Sequence, residues 1–127
     1  MEIEFKNGIP GFENYKKFIV NDIENNKDFK SIVSVDDEYV GFIAVSPFTI
    51  INDYEFDIND EVIDLLEIEK AEDVMVLGLV RLGKTVKEST VNLKAPIIIN
   101  IKNNKGMQYI IQNDKYLTRE PIIRGDK

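Results

Sequence analysis

The chain has 127 residues, of which 43% are hydrophobic and 31% charged, a composition typical of one folded domain rather than a disordered segment. It contains no cysteine, histidine or tryptophan, which excludes disulfides, thiolate nucleophiles, Ser-His-Asp catalysis and nearly every zinc site. Its net charge of −7 argues against direct nucleic-acid binding, because phosphate recognition begins with a basic surface.

Four short strands are predicted in the first third of the chain. They cover residues 2–6, 18–20, 32–35 and 40–45, where β-branched and aromatic residues stand between turn-forming residues. A polar, charged loop is predicted at residues 25–27, before the third strand. The connections between the predicted strands are short.

A further strand is predicted where aromatic and acidic residues alternate. Tyr54, Phe56 and Ile58 alternate with Glu55 and Asp57, so one face of this strand would be acidic. Because side chains two residues apart on a strand point the same way, Tyr54 and Phe56 share a face. We expect that face to lie against the core, as most apolar stripes do.

One helix is predicted directly after this strand. Asn59 is a favourable N-cap, and Asp60 and Glu61 fall in the first turn, where the helix dipole favours negative charge. The outer face would carry acids, and the predicted inner stripe consists of Val62, Leu65 and Leu66.

The second half of the chain predicts mainly strands, at residues 74–82, 91–93, 97–101 and 108–111. The first of them is apolar on both faces and is therefore expected to be central. A bulge or corner is expected at Pro96 and a hairpin turn at residues 103–106. The predicted fold is all-β, a small closed or half-closed antiparallel β-barrel with one short helix.

The negative charge is concentrated in one segment, residues 53–73. It holds ten acids and one base, a net of −9, whereas the remaining 15 bases and 13 acids give +2. Such a one-sign patch attracts a basic protein partner and raises its association rate. An acidic face that only keeps the protein soluble is the alternative, and the charge pattern by itself leaves both open.

Residues 78–85, GLVRLGKT, satisfy the phosphate-loop pattern G-x-x-x-x-G-K-[ST]. That motif functions as a loop between a strand and a helix. Here the variable positions are mostly bulky and apolar, and no helical stripe follows, so a strand that ends in a Gly-Lys turn is the favoured interpretation. A small phosphate- or divalent-metal-using enzyme, built on Gly83, Lys84 and Thr85 or on the acidic segment, stays as the alternative.

The N-terminus is acidic and alternating, unlike a signal peptide, and the longest apolar run is too short for a membrane helix. A cytoplasmic protein without membrane contact is therefore expected.

Four stretches of the sequence resemble the flagellar assembly factor FliW family. They are GIPGFE with Phe18 at residues 8–18, SPF leading to Tyr54 at 46–54, TVNLKAPIIIN at 90–100, and YLTREPI at 116–122. The similarity is collinear over residues 1–123, which we interpret as a single domain, with residues 124–127 as a frayed end.

This resemblance implies a small cytoplasmic β-barrel-like protein without catalytic activity or cofactor. Members of the family bind flagellin and also the RNA-binding translational regulator CsrA. When flagellin occupies the FliW-like protein, CsrA is free to repress translation of flagellin mRNA. When flagellin is secreted, the FliW-like protein sequesters CsrA and translation resumes.

Partner binding is predicted within residues 48–67, through exposed aromatic and acidic groups. The candidates are Phe48, Tyr54, Glu55, Phe56, Asp57, Asp60, Glu61 and Asp64. No catalytic, cofactor-binding or metal-binding residue is assigned. Gly8, Pro10, Gly11 and Pro96 are interpreted as turn-shaping residues, and Asn92 is expected to bond to neighbouring backbone at the corner before Pro96.

Overall fold

The structure is a computed structural model that describes residues 1–123; the predicted frayed end at 124–127 lies outside the described residues. The strands are β1 (Glu2–Phe5), β2 (Lys17–Ile23), β3 (Asn26–Ser34), β4 (Gly41–Val45), β5 (Val74–Arg81), β6 (Thr90–Val91), β7 (Ile97–Asn100), β8 (Lys105–Gln108) and β9 (Glu120–Pro121). Helix α1 covers Asp60–Leu66, and short 3₁₀ helices cover Pro47–Thr49, Ala71–Asp73 and Val86–Glu88. Among residues 1–123, no helix has the length and apolar character that crossing a membrane requires.

Seven strands close into a barrel in the order β4-β3-β2-β1-β8-β7-β5, and a β4–β5 pairing completes the ring. This confirms the predicted mainly β, closed barrel with one short helix. Within the ring, β1 and β8 pair in parallel, and the other pairings are antiparallel. A parallel pair needs a long connection, which the intervening strands supply. Strands β6 and β9 extend the sheet from β5.

The side chains form two hydrophobic cores, on opposite faces of β5 and β7. Ile97 and Ile99 pack in the barrel interior with side chains of β1 to β5, including Phe5 and Phe18. Ile98 belongs to a second core outside the barrel. Because successive side chains of a strand point to opposite faces, β7 is buried on both sides. The predicted centrality of β5 is confirmed by its pairing with β4, β6 and β7.

The second core is covered by the segment between β4 and β5, which includes α1. The Asn59 side chain caps α1 by accepting a hydrogen bond from the Val62 N–H at 3.0 Å, as predicted. Val62 and Leu66 are buried, but Leu65 is exposed, so the inner stripe is narrower than predicted. At the other end of α1, the buried Asn100 amide donates to the carbonyl of Leu66 at 2.8 Å and to that of Glu67 at 3.1 Å.

Several predicted elements are wrong in type or position. Residues 54–58 are extended but belong to no strand. The predicted loop at 25–27 is a tight turn, since β3 already begins at Asn26 and Asn25 takes the left-handed conformation (φ 68°) that asparagine tolerates. The last long strand, β8, lies at 105–108 rather than 108–111, and β6 stops at Val91. Boundaries move because pairing partners, which lie far away in sequence, set where a ladder ends.

Candidate protein-binding site

Five of the eight predicted binding residues line a cleft of about 520 Å³ on the outer face of β5. One wall is the extended segment 54–58, and the floor includes Val74 and Val76 of β5. Three acids and one base of the described residues line the cleft, and the lining within residues 1–123 is Phe48, Tyr54, Glu55, Phe56, Asp57, Ile58, Ile63, Ile68, Glu69, Lys70, Ala71, Val74 and Val76. The cleft is therefore apolar at its base and acidic at its edge.

Two tyrosine hydroxyls hold the extended wall in place. The Tyr116 hydroxyl donates to the Glu55 carbonyl at 3.0 Å and accepts from the Glu55 N–H at 2.9 Å. The Tyr109 hydroxyl donates to the Asp57 carbonyl at 3.0 Å and accepts from the Asn59 N–H at 3.3 Å. A phenolic hydroxyl is both donor and acceptor, so each tyrosine replaces the two hydrogen bonds that a neighbouring strand would supply. This explains why the alternating pattern of 54–58 produces an extended segment without strand pairing.

Tyr54 supports the cleft from below. Its side chain is 3% exposed, and its hydroxyl donates to the Leu93 carbonyl at 2.7 Å. Burial, with a smaller contribution from the neighbouring Tyr116, raises the pKa of Tyr54 well above its ordinary value. The Tyr54 ring lies 4.5 Å from the ring of Tyr116, measured between centroids. The expectation that Tyr54 and Phe56 face the core is confirmed, since Tyr54 is buried and Phe56 is half-buried against the second core.

Phe48 and Phe56 are the aromatic side chains of this cleft that remain accessible, Phe48 exposed and Phe56 half-buried. Phe48 is 46% exposed and packs edge-on against Tyr54 with centroids 5.7 Å apart. The Phe56 ring lies 5.6 Å from the ring of Tyr54 and stacks on Tyr109 at 5.8 Å, measured between centroids. Exposed aromatic rings held by buried ones are typical of binding hot spots, because little side-chain entropy is lost on binding.

The five predicted acids are all exposed. Glu55 and Asp57 line the cleft, whereas Asp60, Glu61 and Asp64 lie on α1 and are not part of the lining. Two acids of the same segment serve other purposes. Glu67 forms an ion pair with Lys105, whose ammonium group lowers the pKa of that carboxyl, and Asp73 is buried.

Sequence reasoning missed Tyr109 and Tyr116, which lie about fifty and sixty residues after the wall that they hold. A signal existed, because a buried tyrosine needs a hydrogen-bond partner for its hydroxyl. The sequence could not identify that partner. Sequence reasoning also missed four lining residues that follow α1, namely Ile68, Glu69, Lys70 and Ala71.

The residues that match the phosphate-loop pattern have structural roles and do not form a phosphate-binding loop. Its first glycine, Gly78, lies inside β5, where a Cβ would approach a methyl carbon of Val91 at 2.5 Å. At Gly83 a Cβ would stand 2.7 Å from the Glu88 carbonyl oxygen, and the Gly83 N–H donates to the Ser89 hydroxyl at 3.2 Å. The strand continues to Arg81, and one 3₁₀ turn follows in place of a helix. Close packing therefore explains why glycine occupies both positions, and residues 78–85 do not form the loop that binds phosphate.

The acidic segment offers no metal centre among residues 1–123, where no group of three or more Asp or Glu side chains is arranged to hold a metal ion. The role expected for Asn92 is confirmed: its side-chain oxygen accepts hydrogen bonds from the N–H groups of Lys94 at 3.1 Å and Ala95 at 2.9 Å. Gly8 and Gly11 have φ values of 71° and 87°, in agreement with their interpretation as turn residues.

Comparison with known proteins gives a consistent result. The family model described as FliW protein matches residues 1–122. The flagellar assembly factor FliW of Clostridioides difficile (strain 630) is 48% identical over 126 residues, which cover 99% of this chain and 97% of that protein. The flagellar assembly factor FliW of Clostridium novyi (strain NT) is 48% identical over 122 residues, 96% of this chain and 85% of that one. A crystal structure of the flagellar assembly factor FliW superposes with a TM-score of 0.92 at 30% identity and covers 99% of this chain and 88% of its own.

Proposed function

Because the chain belongs to the FliW family, we propose that it is a non-enzymatic flagellar assembly factor that exchanges two partners, flagellin and the translational regulator CsrA. The names of its relatives support the role in flagellar assembly. The two partners come from the sequence resemblance, which also implies that flagellin binding releases CsrA. The exchange takes place in the cytoplasm, where translation is regulated.

The observation that carries the proposal is the acidic rim around an apolar cleft. An RNA-binding regulator such as CsrA has basic surface, and a rim that bears Glu55, Asp57 and Glu69 attracts such a surface. Charge complementarity steers the encounter, and desolvation of apolar side chains in the cleft supplies most of the affinity. Exposed Phe48 at the cleft is the best-placed anchor.

The cleft is also formed before any partner arrives. The hydroxyls of Tyr109 and Tyr116 fix the wall at Asp57 and Glu55, so little backbone has to be ordered on binding. A preformed site saves the conformational entropy that a mobile loop would lose, which strengthens binding without additional contacts.

The exchange is tested by calorimetric titration of the protein with CsrA of the same organism, with and without prior saturation by flagellin. We expect heat of binding in the first titration and none in the second. No binding of CsrA at low salt contradicts the CsrA part of the proposal, and full binding after saturation with flagellin contradicts the exchange.

A matched pair of variants connects the exchange to the cleft. Phe48→Ser removes an exposed ring at the cleft, and Tyr39→Ser removes a ring that is 89% exposed on the β3–β4 connection. We expect Phe48→Ser to lower the affinity for one of the two partners by about tenfold or more, and Tyr39→Ser to leave both affinities unchanged. Equal effects of the two variants would show that the partners bind elsewhere.

A further inference from the structure

The cleft described above, with Glu55, Asp57 and Glu69 at its edge, is called the acidic cleft below. A second cleft, of about 450 Å³, lies at the opposite end of β5. The acidic cleft uses Val74 and Val76 near the start of β5, whereas the second cleft uses its last three residues. Its lining consists of Leu79, Val80, Arg81, Asn92, Thr118 and Arg119. Among residues 1–123, two cations and no acid line this cleft, so its charge is opposite to that of the acidic cleft.

The strand pairing of β5, β6 and β9 assembles this cleft from distant parts of the chain. Arg81 pairs with Thr90, which in turn pairs with Pro121. The Asn92 N–H donates to the Leu79 carbonyl at 2.9 Å, and the Leu93 N–H donates to the Leu117 carbonyl at 3.0 Å. Two of the stretches that carry the family resemblance, 90–100 and 116–122, therefore meet here. Both also support the acidic cleft from behind, through the Leu93 carbonyl and the Tyr116 hydroxyl, but none of their described residues lines it.

The cations at this cleft are arginines, although lysine is the more common base in this chain. Residues 1–123 contain two arginines and twelve lysines, yet both arginines and none of these lysines line the cleft. All three ion pairs between described residues use lysine, from Lys30, Lys94 and Lys105. Within residues 1–123, neither Arg81 nor Arg119 is paired with an acid, and both are exposed. Two unpaired guanidinium groups are thus presented at one site.

We propose that this cleft binds an acidic segment of a protein partner, with the guanidinium groups of Arg81 and Arg119 holding its carboxylates. A guanidinium donates two parallel hydrogen bonds to one carboxylate, a geometry that lysine cannot reproduce. Thr118 offers a hydroxyl donor, and Leu79 and Val80 offer apolar surface to the aliphatic part of a glutamate side chain. The cleft volume suits one or two such side chains.

A peptide is favoured over RNA by the charge of the rest of the molecule. The net charge is −7, and a long polyanion would extend beyond the two arginines onto a repelling surface. A short acidic segment places its charge at the cleft alone, and at about 0.1 M salt the more distant acids are largely screened. This inference is independent of the identities of the partners proposed above.

The test is an NMR titration of the full chain with N-acetyl-tetraglutamate at about 0.1 M salt. We expect saturable shifts of the backbone N–H signals of Arg81, Thr118 and Arg119. The double variant Arg81→Lys/Arg119→Lys keeps the charge and removes both guanidinium forks, and it should weaken binding by about fivefold or more. The control Lys84→Gln/Lys87→Gln removes two exposed charges at the same end of β5 and should weaken it by less than about twofold.

Thermal unfolding midpoints of both variants should equal that of the parent, because all four side chains are exposed. The proposal is overturned if the peptide causes no saturable shift, or if the lysine-for-arginine variant binds it as well as the parent does. It is also overturned if an oligouridylate or inorganic phosphate shifts the same signals at lower concentration than the peptide, since the cleft would then be a phosphate site.

Discussion

The Tyr116 hydroxyl binds both backbone polar groups of Glu55, donating to its carbonyl at 3.0 Å and accepting from its N–H at 2.9 Å. Tyr109 makes the corresponding pair of bonds at Asp57 and Asn59. Two side chains therefore act as a neighbouring strand would, and they fix an acidic segment at the edge of an apolar cleft. The position of the proposed binding surface depends on these hydroxyls.

Replacing Tyr116 by Phe removes the hydroxyl and keeps the ring. We expect the free energy of unfolding to fall by about 1–3 kcal/mol, because two polar backbone groups lose their partner. Amide hydrogen exchange should accelerate at residues 54–58 in particular. Tyr39→Phe, at an 89% exposed tyrosine, is the control and should change neither measurement. Unchanged exchange in the Tyr116 variant would show that packing alone holds the wall.

Asn100 connects α1 to the barrel, and its side chain is 2% exposed. Asn100→Ala removes the donor to the Glu67 carbonyl and one of two donors to the Leu66 carbonyl, which keeps the Asn103 amide at 3.0 Å. We expect a loss of about 1–3 kcal/mol in urea unfolding. Asn21→Ala, at an exposed position of β2, should cost less than about 0.5 kcal/mol. A similar cost for both variants would contradict the anchoring role.

Tyr54 should make stability depend on alkaline pH. Its folded-state pKa is raised above the ordinary value of 10.0. The unfolded chain therefore loses the proton first, so stability is fully present below pH 10 and falls as the pH rises above it. The slope approaches about 1.4 kcal/mol per pH unit for one proton. Urea unfolding at several pH values should show this slope in the parent and a smaller one in Tyr54→Phe; equal slopes would refute the assignment.

The acids of α1 should act on the rate of association. The triple variant Asp60→Asn, Glu61→Gln and Asp64→Asn should slow association with the basic partner about tenfold at low salt and leave dissociation nearly unchanged. Stopped-flow mixing measures both rates. The control, with the same charge change, is Glu24→Gln, Asp36→Asn and Glu38→Gln. It alters exposed acids in the β2–β3 turn and the β3–β4 connection and should have a smaller effect. Equal slowing by both variants would indicate net charge rather than the α1 surface.

The phosphate-loop residues should behave as structural residues. Gly83→Ala places a methyl group against the Glu88 backbone and should destabilise the protein by about 1–3 kcal/mol. Lys84→Ala, at an exposed side chain, should cost less than about 0.5 kcal/mol. Calorimetry with Mg-ATP should show no saturable heat in the parent; saturable heat that Lys84→Ala abolishes would support the enzyme alternative instead.

Much of the fold could be predicted because its signals are local. The alternation at Ile3 and Phe5, the cap at Asn59 and the turn glycines each involve residues a few positions apart, and each prediction is confirmed. The predicted strand at 54–58 is wrong for the opposite reason. Its alternation correctly indicates one buried and one exposed face, but the pattern does not specify what bonds to the backbone.

The candidate sites divide in the same way. The sequence by itself determined the acidic segment, the placement of Tyr54 and Phe56 on one face, and the family resemblance, because charge, periodicity and motif are properties of neighbouring residues. Only the tertiary structure decided that Tyr116 binds the backbone of Glu55 and that Arg81 and Arg119 line one cleft. Those relationships join residues 61 and 38 positions apart. They arise from packing in the second core and from the pairing of β6 with β5 and β9, and no local pattern encodes either.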